Sequence, residues 1–190
     1  MWERFKKALS PRRDPARIVA GGGDGFYVYR VRFQDGFKDV VSLVPHDNAF
    51  ESGLAAEAII GMRASFSDSS EPITAATFQP NKPFVQFLHD VIASHAPDLV
   101  GLREAARRQG NGWVYVIDAR TPTPAGHVPP HDIIGAFEVK EGVVVPGSYR
   151  PNENHQLLSA NGIFRLEPTL REHLMDRIMQ LQRAFQNRNG

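Results

Sequence analysis

One segment constrains the fold of this 190-residue chain more than any other, the stretch from Gly112 to Phe137. It opens with Trp113–Ile117 (WVYVI), whose β-branched and aromatic residues predict a β-strand. Because this run is almost continuously apolar, we expect both faces of the strand to be covered. Residues 121–130 hold prolines that cannot occupy ladder positions in a central strand, and Ile133–Val139 predicts the next strand. The segment therefore predicts two buried strands joined by a stiff turn.

The proline-rich turn has two interpretations. A stiff connection loses little chain entropy on folding and holds nearby side chains in a defined direction, which suits a functional site. Proline is also the ordinary residue of a simple connector between strands. The residues of the turn alone favour neither interpretation, so both stay open.

Composition excludes several classes of protein. The formal net charge is +1, so no bulk positive charge favours nucleic acid as a partner. The absence of cysteine excludes disulfides and thiol chemistry. No apolar run approaches the ~20 residues of a membrane span, and the first residues lack the apolar stretch of a signal peptide. We predict a cytoplasmic protein, or one delivered into a target cell by a system that uses no cleavable signal peptide. The sequence predicts no oligomeric state.

The chain divides into three parts by pattern. Residues 1–25 predict a short amphipathic N-terminal helix and a glycine-rich linker. Residues 26–185 predict a single α+β domain, and residues 186–190 a frayed tail. Within the domain, periodicity predicts the following elements: strands over Phe26–Phe33, Phe37–Val44, Ile73–Phe78, Val143–Val145 and Gly162–Leu166, and helices over Ala49–Met62, Phe84–Ser94, Asp98–Gln109 and Pro168–Phe185. The polar segment 65–72 is expected to be mobile.

Two arginines, Arg30 and Arg32, share a face of the first predicted strand with Val28. Arginine is rarely buried unless it is paired, so this face is either an edge open to water or the floor of a cleft. In a cleft, the guanidinium groups would suit a phosphate or a carboxylate. The histidines His89 and His95 are expected at the surface, and no metal site can be assembled from the sequence.

The central segment resembles the ADP-ribosyltransferases, in the branch of cholera and heat-labile enterotoxin with the pertussis-like and pierisin-like toxins near it. Trp113–Ile117 is similar to the family's strand Tyr-x-Tyr-Val-Ile. Gly126–Gly135 (GHVPPHDIIG) is similar to its Gly-Gly-Ile-Pro-x-x-x-Ile-x-Gly segment, and Asn152–His155 to its Asn-Pro-Asn-Tyr loop. Tyr29-Arg30 is similar to the Tyr-Arg of its first motif.

The resemblance implies an α+β fold with a split β-sheet core and flanking helices, and NAD as substrate. It implies that Arg30 is catalytic and binds NAD, with Arg32 beside it and Thr77 lining the cleft. The family's catalytic Glu-x-Glu is not found, because its window, Ala119–Ala125, contains no carboxylate. Asp118 is the nearest acid, and it is the candidate catalytic replacement.

Two functions follow from the resemblance. The chain is either a divergent bacterial mono-ADP-ribosyltransferase, an effector or toxin acting on a protein target, or a catalytically silent member of that fold. The silent form would be a protein-binding module or an accessory or immunity protein. A serine hydrolase is excluded, since Ser42, Ser65 and Ser148 lack the Gly-x-Ser-x-Gly setting. His155 is expected to be a loop histidine bonded to backbone.

Overall fold

The computed structural model describes residues 17–21, 25–33, 36–45, 53–63, 73–120 and 128–189. Helices and antiparallel sheets are mixed in this part of the chain, which confirms the predicted α+β class. The expectations for residues 1–9, 65–72 and 121–127 lie outside the described residues. The chain forms two compact units, Met1–Phe87 with Met175–Gly190, and Leu88–Leu174. Each unit is described by itself.

The first unit contains a five-stranded antiparallel sheet whose strands follow one another in chain order. Residues that alternate between apolar and polar side chains favour extended strands, and the strands of this sheet pair antiparallel. The strands are β1 (Arg17–Gly21), β2 (Tyr27–Phe33), β3 (Gly36–Ser42), β4 (Ile59–Arg63) and β5 (Phe78–Pro80). The side chains of Tyr29, Val40 and Ile60 are fully buried and form part of the core.

Within the described ranges, three α-helices follow the apolar periodicity of the sequence. They are α1 (Lys82–His95), α2 (Val100–Gln109) and α3 (Pro168–Asn189). Pro97 lies in a 3-10 turn over Ala96–Asp98 that separates α1 from α2. Gly110 ends α2 with a φ of 71°, a backbone conformation that side chains with a Cβ disfavour. In the first unit, Gln182 of α3 bonds the backbone of Gly53 and Ala55.

The second unit contains a sheet centred on β7, which pairs antiparallel with three strands. These strands are β6 (Gly112–Ile117), β7 (Ile133–Lys140), β8 (Val143–Val144) and β9 (Arg150–Pro151). A separate two-stranded hairpin is formed by β10 (Leu158–Ser159) and β11 (Gly162–Ile163). The strand–turn–strand prediction is confirmed for its two strands.

Some predicted elements differ. The helix expected over Ala49–Met62 is wrong where the structure describes it: Ala56–Ala58 is a 3-10 turn and Ile59–Arg63 is β4. Pairing with β3 and β5 overrides the helix propensity of the alanines. Ile73–Phe78 is mainly a turn, and the strand starts only at its last residue. Helix α3 continues to Asn189, through most of the predicted frayed tail.

The expectation that both faces of β6 are covered is wrong. Val114 and Val116 are buried on one face of the strand. The opposite face, which carries Tyr115, is open to solvent, and Tyr115 is 54% exposed. A strand with aromatic residues on its outer face has the same apolar sequence as a fully buried strand, so periodicity could not separate them.

Gly61 in β4 lies where a side chain cannot fit. A Cβ at this position would lie 2.5 Å from the carbonyl oxygen of Gln79 and would also meet the ring of Phe78. We expect Gly61→Ala to lower the free energy of unfolding by about 1–3 kcal/mol, as overpacking does. The matched control is Gly101→Ala in α2, where a Cβ meets nothing within 4 Å. Helix propensity should make that change neutral or stabilising by up to about 1 kcal/mol. Urea denaturation of both variants checks the difference, and equal stability would contradict it.

Candidate functional site

Asp118 lies directly after β6 and is completely buried. Its Oδ1 accepts hydrogen bonds from the amides of Arg120 (3.0 Å) and Arg165 (2.9 Å). Its Oδ2 lies 3.1 Å from Nε2 of His155 and 2.9 Å from Nη2 of Arg120. A carboxylate offers about four lone-pair sites, so every acceptor position of Asp118 is occupied.

Arg120 is the second centre of this cluster, and its side chain is 1% exposed. Its Nη1 donates to Oγ of Ser159 and to the carbonyl oxygen of Gly162, and its Nη2 donates to the carbonyl oxygen of Gln156. Asp132 lies 3.4 Å from the same Nη2. The guanidinium therefore ties the 156–162 segment to the end of β6, and these charge-assisted bonds offset much of the cost of burying it.

The loop that contains His155 is fixed by side-chain bonds to the neighbouring backbone. Nδ2 of Asn152 donates to the carbonyl oxygens of Pro130 and Ile133, both at 2.7 Å. The backbone of the loop is also bonded, from Asn152 to Ile134 and from Gln156 to His131. His155 bonds the Asp118 carboxylate through its ring, so the expected ring bond to backbone is wrong.

The Asp118 cluster changes the acidity of its carboxylate. Burial by itself would raise the pKa of Asp118. The hydrogen bonds from His155, the amides of Arg120 and Arg165, and the guanidinium of Arg120 outweigh burial and hold that pKa below its ordinary value. Asp118 is therefore a bonded anion at neutral pH.

A second polar pair lies in the same unit. Nδ1 of His89 lies 2.8 Å from Oη of Tyr149, so His89 is a partly buried, bonded side chain rather than the predicted surface histidine. Burial and then the nearby His155 lower the pKa of His89, against a smaller opposing effect of Asp90. Burial raises the pKa of Tyr149. Gly135 leaves room for this tyrosine, since a Cβ there would lie 2.5 Å from Oη.

The remaining predicted site residues lie in the first unit, whereas Asp118 lies in the second. Arg30 is partly buried and makes a forked contact with Asp39, Nε to Oδ1 at 2.8 Å and Nη2 to Oδ2 at 3.2 Å. Thr77 binds within its own turn, because its hydroxyl accepts from the amide of Thr74 at 3.0 Å. Arg32 lies in β2 opposite Phe37. Their predicted role in binding NAD stays a prediction.

The open face of β6 forms a shallow groove of about 430 Å³. Tyr115 of β6, Ala136 of β7 and Arg150 of β9 are paired in one row across the sheet, with the small alanine between two large side chains. The guanidinium of Arg150 lies over the ring of Trp113, 4.8 Å from its centre. Pro130 and Pro151 also line the groove. We call this surface the aromatic groove.

Sequence reasoning missed the aromatic groove, because its walls come from strands 35 residues apart along the chain. The available sign was the spacing of Trp113 and Tyr115, which places both aromatic rings on one face of a strand.

Comparisons with protein-family models, with curated proteins and with solved structures found no match to this chain. Within the described ranges, no three or more acidic or histidine side chains are grouped so that they could hold a metal ion. No helix among those residues is long and apolar enough to cross a bilayer.

Replacing Asp118 by asparagine tests how much the cluster contributes to the free energy of unfolding. Loss of the anion leaves Arg120 as a buried cation with weaker compensation, so we expect Asp118→Asn to destabilise the protein by about 3 kcal/mol. Asp98→Asn is the control, since Asp98 pairs with Arg103 at an exposed position and should change stability by less than about 0.5 kcal/mol. Urea denaturation followed by tryptophan fluorescence measures both, and similar small effects would contradict the assignment.

The pH dependence of stability should show two components. The lowered pKa of Asp118 gives stabilisation that is fully present above the ordinary value of 3.8 and is lost as pH falls through the folded-state value. The lowered pKa of His89 gives a separate loss that starts as pH falls below 6.5. We expect Asp118→Asn to remove the more acidic component and to keep the other. Denaturation midpoints measured between about pH 3 and pH 8 check this, and an unchanged acidic component would contradict it.

Proposed function

We propose that this chain is a catalytically silent protein-binding module and that it binds its partner through the aromatic groove. The bonding of Asp118 is the observation that carries the first half of this proposal. A catalytic acid or nucleophile must come within about 3 Å of the reacting atoms. Asp118 is fully buried, and its acceptor positions are all taken by groups of its own unit.

Freeing Asp118 for chemistry would be costly. The bonds that occupy it also hold Arg120, His155 and the amide of Arg165, so its release would leave a buried guanidinium without its carboxylate. Breaking such a buried pair costs several kcal/mol, which is comparable with a large part of the stability of an ordinary domain. A structural role for this acid therefore needs fewer assumptions than a catalytic one.

The engagement of Arg30 supports the same proposal. Both arms of its guanidinium fork contact the carboxylate of Asp39, which is buried and is also 3.3 Å from Arg63. A phosphate of NAD would have to displace this carboxylate from its partner. Arg30 and Asp39 are directly opposite each other on β2 and β3. Their contact therefore compensates the charge of a buried acid within the sheet.

The aromatic groove supports the second half of the proposal. Tyrosine, tryptophan and arginine are the residues most enriched at the energetic centres of protein interfaces. Here all three are gathered on one sheet face, with Tyr115 largely exposed to solvent. An open groove of this kind suits a chain segment better than a small molecule, which most sites enclose on several sides.

The other function implied by the resemblance, a bacterial ADP-ribosyltransferase-like effector that uses NAD, is the alternative that experiment must separate. It shares the expected split-sheet fold with the silent form. It requires a carboxylate that reaches the reacting ribose, and the described geometry of Asp118 gives it no support.

Paired variants on exposed side chains test the proposed function. Tyr115→Ala should reduce the capture of partner protein from cell extract by about tenfold or more, as the loss of a central aromatic side chain does. Val143→Ala is the matched control in the same unit, since Val143 is 67% exposed and lies outside the groove. Equal capture by the two variants would remove the groove from the proposal.

The catalytic half is tested with NAD. We expect the wild-type chain to release no nicotinamide from NAD, with or without protein acceptors. Release of nicotinamide by the wild-type chain would contradict a silent module and would favour the transferase.

A further inference from the structure

Asparagine followed by glycine is a reactive pair, because the main-chain nitrogen of the glycine can attack the side-chain amide of the asparagine. Glycine has no Cβ to obstruct that approach. The chain contains three such pairs, Asn111–Gly112, Asn161–Gly162 and Asn189–Gly190. The first two lie wholly within the described ranges and have exposed asparagines, whereas Gly190 lies outside those ranges. A difference in reactivity between the first two pairs must therefore come from their surroundings.

The reaction has two steps, and no oxidant or reductant takes part. In the first step, the glycine nitrogen forms a bond to Cγ of the asparagine. The proton of that nitrogen ends on the side-chain nitrogen, which leaves as ammonia, and a cyclic imide remains. In the second step, a water molecule opens the ring at one of its two carbonyl carbons. One opening gives aspartate, and the other gives isoaspartate, whose main chain is longer by one carbon atom.

The side chain and the surroundings of Asn111 are restrained. Its Oδ1 accepts a hydrogen bond from the amide of Glu141 at 3.1 Å. Nε2 of Gln109 fills the space beside Gly112, since it lies 2.9 Å from the place of a Cβ on that glycine. Gly112 also begins β6, whose ladder with β7 is the longest in this unit. Attack at Asn111 requires the loss of the bond to Glu141 and movement at the end of that ladder.

Asn161 lacks these restraints. Its bond to Oγ of Ser159, at 3.2 Å, comes from the main-chain amide, and within the described part of the chain its side-chain amide has no hydrogen-bond partner. A Cβ on Gly162 would meet nothing within 4 Å. The hairpin of β10 and β11 is closed by the pairs Leu158–Ile163 and Ser159–Gly162, and so short a ladder opens readily. Such opening lets the reacting atoms approach to about 3–3.5 Å.

The same turn is bonded to the buried ion cluster. Nη1 of Arg120 donates to Oγ of Ser159 and to the carbonyl oxygen of Gly162, which lie on either side of Asn161. An isoaspartate at position 161 would lengthen the main chain between these two acceptors. Both bonds of Nη1 could not then keep their present lengths, and a buried guanidinium that loses partners destabilises the fold.

From these contacts, we propose that Asn161 is a site of spontaneous deamidation, and that isoaspartate at this position weakens the bonds between Arg120 and the β10–β11 hairpin. The site lies outside the aromatic groove, so this proposal is independent of the proposed function. It makes Asn161 the position at which age alters the part of the fold that contains Asp118.

Incubation of the folded chain at mildly alkaline pH, followed by tryptic digestion and mass spectrometry, tests the proposal. The two asparagines fall in separate peptides, residues 109–120 and 141–165, and cleavage after Arg188 removes Asn189 from both. Exchange of the amide for a carboxyl group raises the mass of a peptide, and fragmentation locates the change. We expect Asn161 to deamidate about fivefold faster than Asn111, because a hydrogen bond restrains only the side chain of Asn111.

Two controls assign the difference to the fold. In a denaturing concentration of urea, the two rates should become similar, because the reacting pair of residues is the same. Asn161→Gln should stop the reaction at that position, since attack on the longer side chain must close a larger ring. Asn111→Gln, the matched variant, should leave the rate at Asn161 unchanged.

Urea denaturation measures the consequence for stability. After incubation, the wild-type chain should unfold at a lower urea concentration, in proportion to its isoaspartate content, whereas incubated Asn161→Gln should keep its midpoint. Fresh Asn161→Asp introduces the charge without lengthening the main chain, so its midpoint should stay close to that of the fresh wild type.

A rate at Asn161 equal to or below that at Asn111 in the folded chain would overturn the proposed site. An unchanged midpoint in chains that contain isoaspartate would overturn its effect on the Arg120 bonds. A midpoint of fresh Asn161→Asp as low as that of the incubated wild type would assign the effect to charge, and would also overturn the role of main-chain lengthening.

Discussion

The buried ion cluster of Asp118 and Arg120 is the interaction on which the second unit depends. It joins the end of a core strand to two later segments, one with His155 and one with Arg165, that are far away in sequence. These segments have little regular structure of their own. Hydrophobic packing alone would therefore leave many of their backbone N–H and C=O groups without hydrogen-bond partners. One carboxylate and one guanidinium provide many of the missing partners at once.

The first unit uses the same solution on a smaller scale. Asp39 is buried between Arg30 and Arg63, on neighbouring strands of one sheet. In each unit a buried acid is occupied by arginine side chains of its own fold, and Asp118, the candidate catalytic acid of the sequence, is one of the two. Perturbed acidity is common in active sites, but structural ion clusters produce it equally well. Geometry decides between the two, through the number of acceptor positions that remain open.

Much of the secondary structure could be predicted because it depends on local patterns. The periodicities of β2, β3, β6, β7 and α1 are encoded within a few residues, and these elements are where the sequence indicates them. The strand β4 could not be predicted, since its pairing partners overrule the helix propensity of its own residues. The contact of His155 with Asp118 joins positions 37 residues apart, and no short-range pattern contains it. The exposure of Tyr115 depends likewise on what packs against the sheet, which an apolar run does not reveal.

The sheet is thin at two adjacent residues of β7, because one has no side chain and the other has only a methyl group. Gly135 admits the ring of Tyr149 on the buried side, and Ala136 forms the groove floor on the open side. Only the main chain of a single strand separates the surface from a hydroxyl bonded to an imidazole. The ring protons of His89 and the hydroxyl of Tyr149 are therefore natural spectroscopic probes of the groove. Their NMR chemical shifts should change when the groove is occupied, although the main chain of β7 keeps them out of direct contact with the occupant.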